Sequence, residues 1–138
     1  MGKRTRSREY ALQILYQVDI THDNCDASLA NFWQARSEEC IEEEIKNFTA
    51  ELVSGVARNI SVIDVNISKY AANWKLERMA VVDRNILRMS CFELMFRKDI
   101  PPKVSINEAV ELAKKYSGSE ASKFVNAILD KIKLEKDK

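Results

Sequence analysis

The most concentrated set of reactive side chains is a run of cations near the N-terminus, Lys3-Arg4-Thr5-Arg6-Ser7-Arg8. Residues 1–8 contain these four cations and no acidic residue, so their positive charge is not neutralised locally. The phosphates of a nucleic acid would neutralise such a run and release bound counterions, which favours binding. The pattern therefore indicates an anion-binding arm at residues 1–8, and a solvated tail is the alternative.

A second candidate site is centred on Phe124 in the last predicted helix. At ~100° per residue, Phe124 lies at the border of the apolar face around Ile128, and Lys123 and Lys131 flank it. An aromatic ring between two ammonium groups can stack on an unpaired base while the lysines bind phosphate. Tyr116, just before a predicted loop, supplies another aromatic ring. The competing interpretation is that Phe124 is an edge residue of the core.

The sequence offers little for catalysis or metal binding. Its single histidine, His22, lies in a polar stretch, and the three cysteines, at positions 25, 40 and 91, form no CxxC pair. We therefore predict no metal site, no cofactor and no disulfide framework, which fits a reducing cytoplasm. Carboxylate pairs such as Glu108 with Glu111 are explained by helix capping or solvation. A small hydrolase that uses His22 or such a pair is retained as an alternative.

Length and composition indicate one ordinary globular domain. The chain has 138 residues, of which 46% are hydrophobic and 31% are charged. Its longest uncharged runs are nine residues, whereas a membrane span needs ~20, and no secretory signal pattern is present. Three glycines and two prolines are too few for many tight turns, which argues against an all-β fold. We predict a single domain over residues 1–138, located in the cytoplasm.

Helical periodicity recurs along the chain and predicts an all-α bundle of about seven helices. The predicted helices begin near residues 8, 26, 38, 61, 79, 105 and 119. The helix from Met79 has a wide apolar arc, which is typical of a central helix. A break is predicted at Asn73-Trp74. Ser105-Ile106-Asn107-Glu108 has the form of a capping box, so we predict that a helix begins there and ends near Gly118.

The charge is uneven although the net charge is only +1. Residues 38–51 contain six glutamates and one lysine, Lys46. In a helix, acids near the N-terminus are stabilised by the helix dipole, so a solvated face explains them. An alternative to nucleic-acid binding is a helical protein-binding scaffold. Such a scaffold would use this acidic segment as its contact surface and would have no specific affinity for RNA.

Several sequence blocks, taken together, resemble the NusB family of bacterial transcription antitermination factors over essentially the whole chain. The blocks are residues 3–16 (KRTRSREYALQILY), 83–88 (DRNILR), 101–109 (PPKVSINEA), 111–114 (ELAK) and 123–130 (KFVNAILD). Any one block would be a weak signal. Their order and spacing are specific.

The resemblance implies two small helical bundles without catalytic activity. It also implies binding of the boxA segment of nascent single-stranded RNA together with NusE, a ribosomal protein of the small subunit. This binding would support transcription of rRNA operons in an elongation complex with other Nus factors, away from membranes. The sequence leaves open whether the free protein is a monomer or a homodimer.

The resemblance also assigns site residues, position by position. The implied RNA contacts are Lys3, Arg4, Arg6, Arg8, Tyr116, Glu120, Lys123 and Phe124. The implied NusE contacts are Tyr16, Glu77 and Asp83. No catalytic residue is implied.

Overall fold

The computed structural model describes residues 2–72 and 74–137. Within these ranges the chain forms seven α-helices, a 3₁₀ helix at Leu76–Arg78 and no β-strand, which confirms the predicted all-α fold. The α-helices are α1 (Lys3–Thr21), α2 (Cys25–Ala35), α3 (Glu43–Arg58), α4 (Ile60–Tyr70), α5 (Val81–Phe96), α6 (Pro102–Tyr116) and α7 (Ser119–Lys136). Residues 1, 73 and 138, which belong to the predicted arm, helix break and domain, lie outside the described residues. No described helix is long and apolar enough to cross a membrane.

The helices form two compact units, divided between Arg58 and Asn59. In the first unit α1, α2 and α3 pack against one another. Its core consists of apolar side chains from all three helices: Ala11, Leu12, Ile14, Leu15, Leu29, Phe32, Ile45, Phe48, Leu52, Val53 and Val56. These residues recur every three or four positions, so each helix turns one apolar face inward.

In the second unit, α5 packs against α4, α6 and α7, as its wide apolar arc predicts. Ile86, Leu87 and Met89 of α5 are buried at the centre of this unit. Arg88 fixes α4 to α5, because its guanidinium donates to both carboxylate oxygens of Asp64, at 2.8 and 3.0 Å. A bidentate pair of this kind restrains both position and orientation.

Residues 3–8 are helical, which corrects the prediction that the described part of residues 1–8 is an arm. Helix α1 begins at Lys3, and Ser7 fixes its first turns to α3. The Ser7 hydroxyl donates to the Ile45 carbonyl at 2.9 Å, and the Thr49 hydroxyl lies 3.3 Å from the Ser7 carbonyl. Because these bonds join residues about forty positions apart, local sequence does not reveal them. Lys3, Arg4 and Arg6 are therefore exposed side chains of an ordered helix.

The capping-box prediction at Ser105 is wrong. Helix α6 begins earlier, at Pro102, where a proline is tolerated because the first helical N–H has no intrahelical partner. Ser105 is instead buried inside the helix, and its hydroxyl donates to Glu93 Oε1 of α5 at 2.7 Å. Ser105 therefore donates a hydrogen bond to a buried carboxylate and does not accept one from the backbone at the start of a helix.

We expect Ser105→Ala to lower the free energy of unfolding by about 1–3 kcal/mol, because the buried Glu93 carboxylate loses a donor. Urea unfolding measures this loss. Ser61→Ala removes an exposed hydroxyl from α4 and serves as the control, with an expected change within about 0.5 kcal/mol. Equal unfolding free energies for the two variants would contradict the assigned role of Ser105.

Gly118 connects α6 to α7 with a backbone conformation that favours glycine. Its φ of 132° is positive, as the sequence predicts, but its ψ of 177° differs from the left-handed helical value expected at a helix end. Its N–H donates to the Ala113 carbonyl at 2.8 Å, and its own carbonyl accepts from the N–H of Ser122 at 3.1 Å. Gly118 thus bonds to the end of α6 and to the start of α7. Only Ser117 and Gly118 separate Tyr116 from the first residue of α7.

Candidate nucleic-acid interface

The N-terminal cations of α1 surround aromatic rings of the first unit. The guanidinium carbon of Arg4 lies 4.4 Å from the centre of the Phe48 ring, and that of Arg8 lies 5.4 Å from it. Phe48 comes from α3 and is itself buried. A cation over an aromatic face is attracted by the negative charge density of the ring. Phe48 thus gives Arg4 and Arg8 a fixed platform.

Arg8 needs a correction as a predicted RNA contact. Only 2% of this residue is exposed, and its guanidinium lies over the Phe48 ring of α3. A buried guanidinium cannot reach a phosphate unless the unit opens. We therefore use the name α1 cation cluster for Lys3, Arg4 and Arg6 alone, which are all exposed.

Arg6 lies on a small aromatic assembly. Its guanidinium donates to the Tyr10 hydroxyl at 2.8 Å. The Tyr10 ring packs edge-to-face against Phe32 and Trp33 of α2, at centroid distances of 5.5 and 5.6 Å. Because three rings anchor one another, the position of Arg6 is restrained even though its side chain is exposed.

Lys3 lies between two carboxylates of the acidic segment. Its Nζ is 2.9 Å from Glu42 Oε2 and 3.1 Å from Glu44 Oε2. Hydrogen bonds to Glu42 and then to Glu44 raise the pKa of Lys3 above its ordinary value. The same surface contains a concavity of about 350 Å³. Its lining residues are Lys3, Arg4, Ser7, Glu44, Asn47, Phe48 and Glu51.

The second candidate surface is a pocket of about 430 Å³ in the second unit, which we name the Phe124 pocket. It is lined by Trp74, Met79, Ala80, Asp83, Ser117, Glu120, Ala121 and Phe124. Phe124 is half-buried, as its position at the border of the apolar face predicts. Its ring meets that of Trp74 edge-to-face, with the centroids 6.0 Å apart, and Trp74 remains 57% exposed.

The polar groups of the Phe124 pocket are mainly acceptors. Asp83 Oδ1 is buried and has no hydrogen-bond partner among the described residues. Glu120 is exposed in the first turn of α7, where the helix dipole favours a carboxylate, and it lies 4.0 Å from the ammonium of Lys123. The pocket therefore offers aromatic walls and carboxylate acceptors, and the Lys123 ammonium lies next to one of these carboxylates, that of Glu120. A flat ring that carries N–H donors and an attached phosphate, such as a nucleotide, matches this arrangement.

The other predicted contacts occupy several places. Tyr116 is exposed at the end of α6, and the Lys115 ammonium lies 5.4 Å from its ring centre, but Tyr116 does not line the Phe124 pocket. Tyr16 is exposed on α1, and Glu77 is exposed in the 3₁₀ helix. Asp83, assigned to NusE by resemblance, shares the pocket with Phe124, assigned to RNA.

Sequence reasoning missed two aromatic residues of these surfaces. Trp74 was predicted only to mark a helix break, although an exposed tryptophan between helices is itself a signal of binding. Phe48 belongs to the buried apolar face of α3. Its contact with Arg4 had no local signal, because the two residues lie on different helices.

His22, which was considered for catalysis, has a structural role at a helix end. His22 ends α1 in a left-handed conformation, with φ of 60°, and its N–H donates to the Val18 carbonyl at 2.7 Å. In residues 2–72 and 74–137, no group of three His, Cys, Asp or Glu side chains is arranged to hold a metal ion. The three cysteines are free, and burial raises the pKa of the Cys91 thiol to about 12.

Comparison with known proteins identifies relatives over nearly the whole chain. The sequence model of the NusB family matches residues 5–133. The transcription antitermination protein NusB of Anaeromyxobacter dehalogenans (strain 2CP-1) is 48% identical over 131 residues, which cover 95% of this chain and 90% of that protein.

Solved structures give the same result. The T. maritima NusB structure has a TM-score of 0.87 and 37% identity, and the match covers 96% of this chain and 91% of that one. A crystal structure of the antitermination factors NusB and NusE in complex with dsRNA also has a TM-score of 0.87, with 29% identity and 98% of both chains covered. From its sequence and its fold alike, this chain belongs to the NusB family.

Proposed function

We propose that this chain is a non-enzymatic transcription antitermination factor that binds single-stranded boxA RNA together with NusE. In this role it supports transcription of rRNA operons in the cytoplasm, within an elongation complex that contains other Nus factors. The observation that carries the proposal is the Phe124 pocket, because its aromatic walls, its acceptors and the Lys123 ammonium beside Glu120 match the chemistry of a nucleotide.

The two surfaces contribute to RNA binding in different ways, the α1 cation cluster through charge and the Phe124 pocket through shape and hydrogen bonding. Arg4 and Arg6 bind phosphates, which supplies affinity without sequence information, and Lys3 is the third cation of this cluster. Phe124 stacks on an unpaired base, and Glu120 accepts hydrogen bonds from base edges, which supplies discrimination. Lys123 binds the phosphate of the stacked nucleotide.

Both units are required for this activity, because the α1 cation cluster lies in the first and the Phe124 pocket in the second. We therefore treat residues 1–138 as one functional RNA-binding domain. Tyr116 provides a further exposed aromatic contact for RNA next to the loop that begins α7.

In this proposal NusE contacts Tyr16 of the first unit and Glu77 and Asp83 of the second. Asp83 lines the pocket that also holds Phe124 and Glu120, so a group of NusE that contacts Asp83 would lie beside the bound base. Asp83 is only partly buried, so the accessible part of its carboxylate can accept a hydrogen bond from a donor of NusE. RNA and NusE should therefore bind cooperatively.

The proposal is tested by titrating a boxA oligonucleotide into this chain, into NusE and into an equimolar mixture. We expect the mixture to bind RNA more tightly than either protein alone, because contacts of both proteins act on one RNA. The alternative scaffold, which uses the acidic segment 38–51, predicts that the mixture binds no better than NusE alone at physiological salt. That result would overturn the proposed function.

A further inference from the structure

Two glutamates hold the first cation of the α1 cation cluster. Glu42 immediately precedes α3 and Glu44 lies in its first turn, and both carboxylates contact the Lys3 ammonium, at 2.9 and 3.1 Å. Glu44 also lines the concavity that contains Lys3 and Arg4. A phosphate that approaches Lys3 must therefore compete with carboxylates already in place.

These ion pairs contribute little to the fold. The side chains of Lys3, Glu42 and Glu44 are 51%, 58% and 72% exposed, and ion pairs in such positions are screened by water and salt. Ser7 already fixes the first turns of α1 through its buried hydrogen bond to Ile45. The main consequence of these ion pairs is thus electrostatic. They weaken the attraction between the α1 cation cluster and any anion that it binds.

Arg6 provides a contrast on the same helix. Its guanidinium donates to the Tyr10 hydroxyl, which carries no charge, so a phosphate can approach Arg6 without displacing a carboxylate. At Lys3 the incoming phosphate meets two negative charges, and like charges placed together disfavour binding. Arg6 is therefore more available to a phosphate than Lys3, although both lie at the start of α1.

We infer that Glu42 and Glu44 weaken RNA binding by occupying Lys3, and so keep this chain from binding RNA that lacks the bases accepted by the Phe124 pocket. This inference rests on the proposed function. Phosphate contacts carry no sequence information, so the glutamates lower the affinity for every RNA by a similar factor. RNA then stays bound only when base contacts add to the reduced electrostatic attraction.

The test compares wild-type protein with Glu42→Gln/Glu44→Gln on boxA and on a scrambled RNA of equal length. We expect the variant to bind both RNAs about three- to tenfold more tightly at about 0.15 M salt. We also expect the slope of log affinity against log salt to steepen by about 0.7, the value for one additional phosphate contact on a single strand.

Two further variants separate release of Lys3 from a general change in charge. Asp23→Asn/Asp26→Asn removes the same number of acids from exposed positions of the first unit, and we expect less than a twofold gain. Adding Lys3→Gln to the Glu42→Gln/Glu44→Gln variant should abolish the gain, because the released cation is gone. Circular dichroism checks that all variants retain their helix content.

The outcomes distinguish the inference from the function on which it rests. The inference is overturned if wild-type protein binds boxA but Glu42→Gln/Glu44→Gln and Asp23→Asn/Asp26→Asn change the RNA affinity equally. It is also overturned if the gain in RNA affinity persists after Lys3→Gln is added. In both cases the proposed function stands. If wild-type protein with NusE shows no RNA binding above non-specific background, the proposed function fails, and the inference fails with it.

Discussion

Replacement of Phe124 by alanine should weaken boxA binding by roughly 1–3 kcal/mol, or about 5- to 150-fold, which is the range for one stacked base. The loss should be larger for boxA than for a scrambled RNA, because stacking acts beside the base-edge contacts of Glu120. Fluorescence anisotropy titrations with the two RNAs measure the difference. NusE binding in the absence of RNA should be unchanged.

Stability provides the control for this variant. Phe124 is half-buried against Trp74, and an edge-to-face pair contributes about 0.5–1.5 kcal/mol beyond its buried area. Val125→Ala, at a fully buried neighbouring position, should instead destabilise the protein while the folded fraction binds boxA normally. If Phe124→Ala costs about 3 kcal/mol or more of stability and retains the preference for boxA, Phe124 is a core residue and the pocket is misassigned.

The second large effect is expected from Arg4→Ala/Arg6→Ala in the α1 cation cluster. Loss of two charge-assisted contacts of about 1–1.5 kcal/mol each should weaken RNA binding roughly 30- to 150-fold. The effect should be similar for boxA and scrambled RNA, since phosphates are common to both. The salt slope should flatten by about 1.4, or 0.7 for each lost phosphate contact. Titrations at several salt concentrations measure both quantities.

Arg58→Ala/Lys103→Ala is the matched control, because it also removes two exposed cations but leaves both candidate surfaces intact. We expect it to change the salt slope by less than about 0.3, since neither cation contacts RNA in this account. A salt slope for Arg4→Ala/Arg6→Ala equal to that of the control would show that the α1 cation cluster does not bind phosphate.

Periodicity predicted the number and order of the α-helices because each helix buries one face of its own sequence, although α1 begins at Lys3 rather than near residue 8 and α3 begins at Glu43 rather than near residue 38. The central position of α5 follows from its wide apolar arc, and the half-buried position of Phe124 follows from its angle on α7. Both predictions depend only on residues within a few turns of one another. The structure confirms both.

The failures concern contacts between distant residues. Ser105 resembles a helix cap, but its hydroxyl satisfies Glu93 on another helix. The cations at positions 3–8 resemble a free arm, but Ser7 binds the backbone of α3 and Arg8 is buried. Trp74 joins Phe124 although fifty positions separate them. No local pattern specifies such pairings, because they arise only when the helices pack.

Recognition of boxA is tested by comparing the affinities for boxA and for a scrambled RNA of equal length and composition, in the presence of NusE. Both RNAs carry the same phosphates, so any difference in affinity measures recognition of bases. We predict that boxA binds at least about tenfold more tightly at about 0.15 M salt. Equal affinities would mean that the cations alone bind RNA, and would contradict recognition of boxA by this chain.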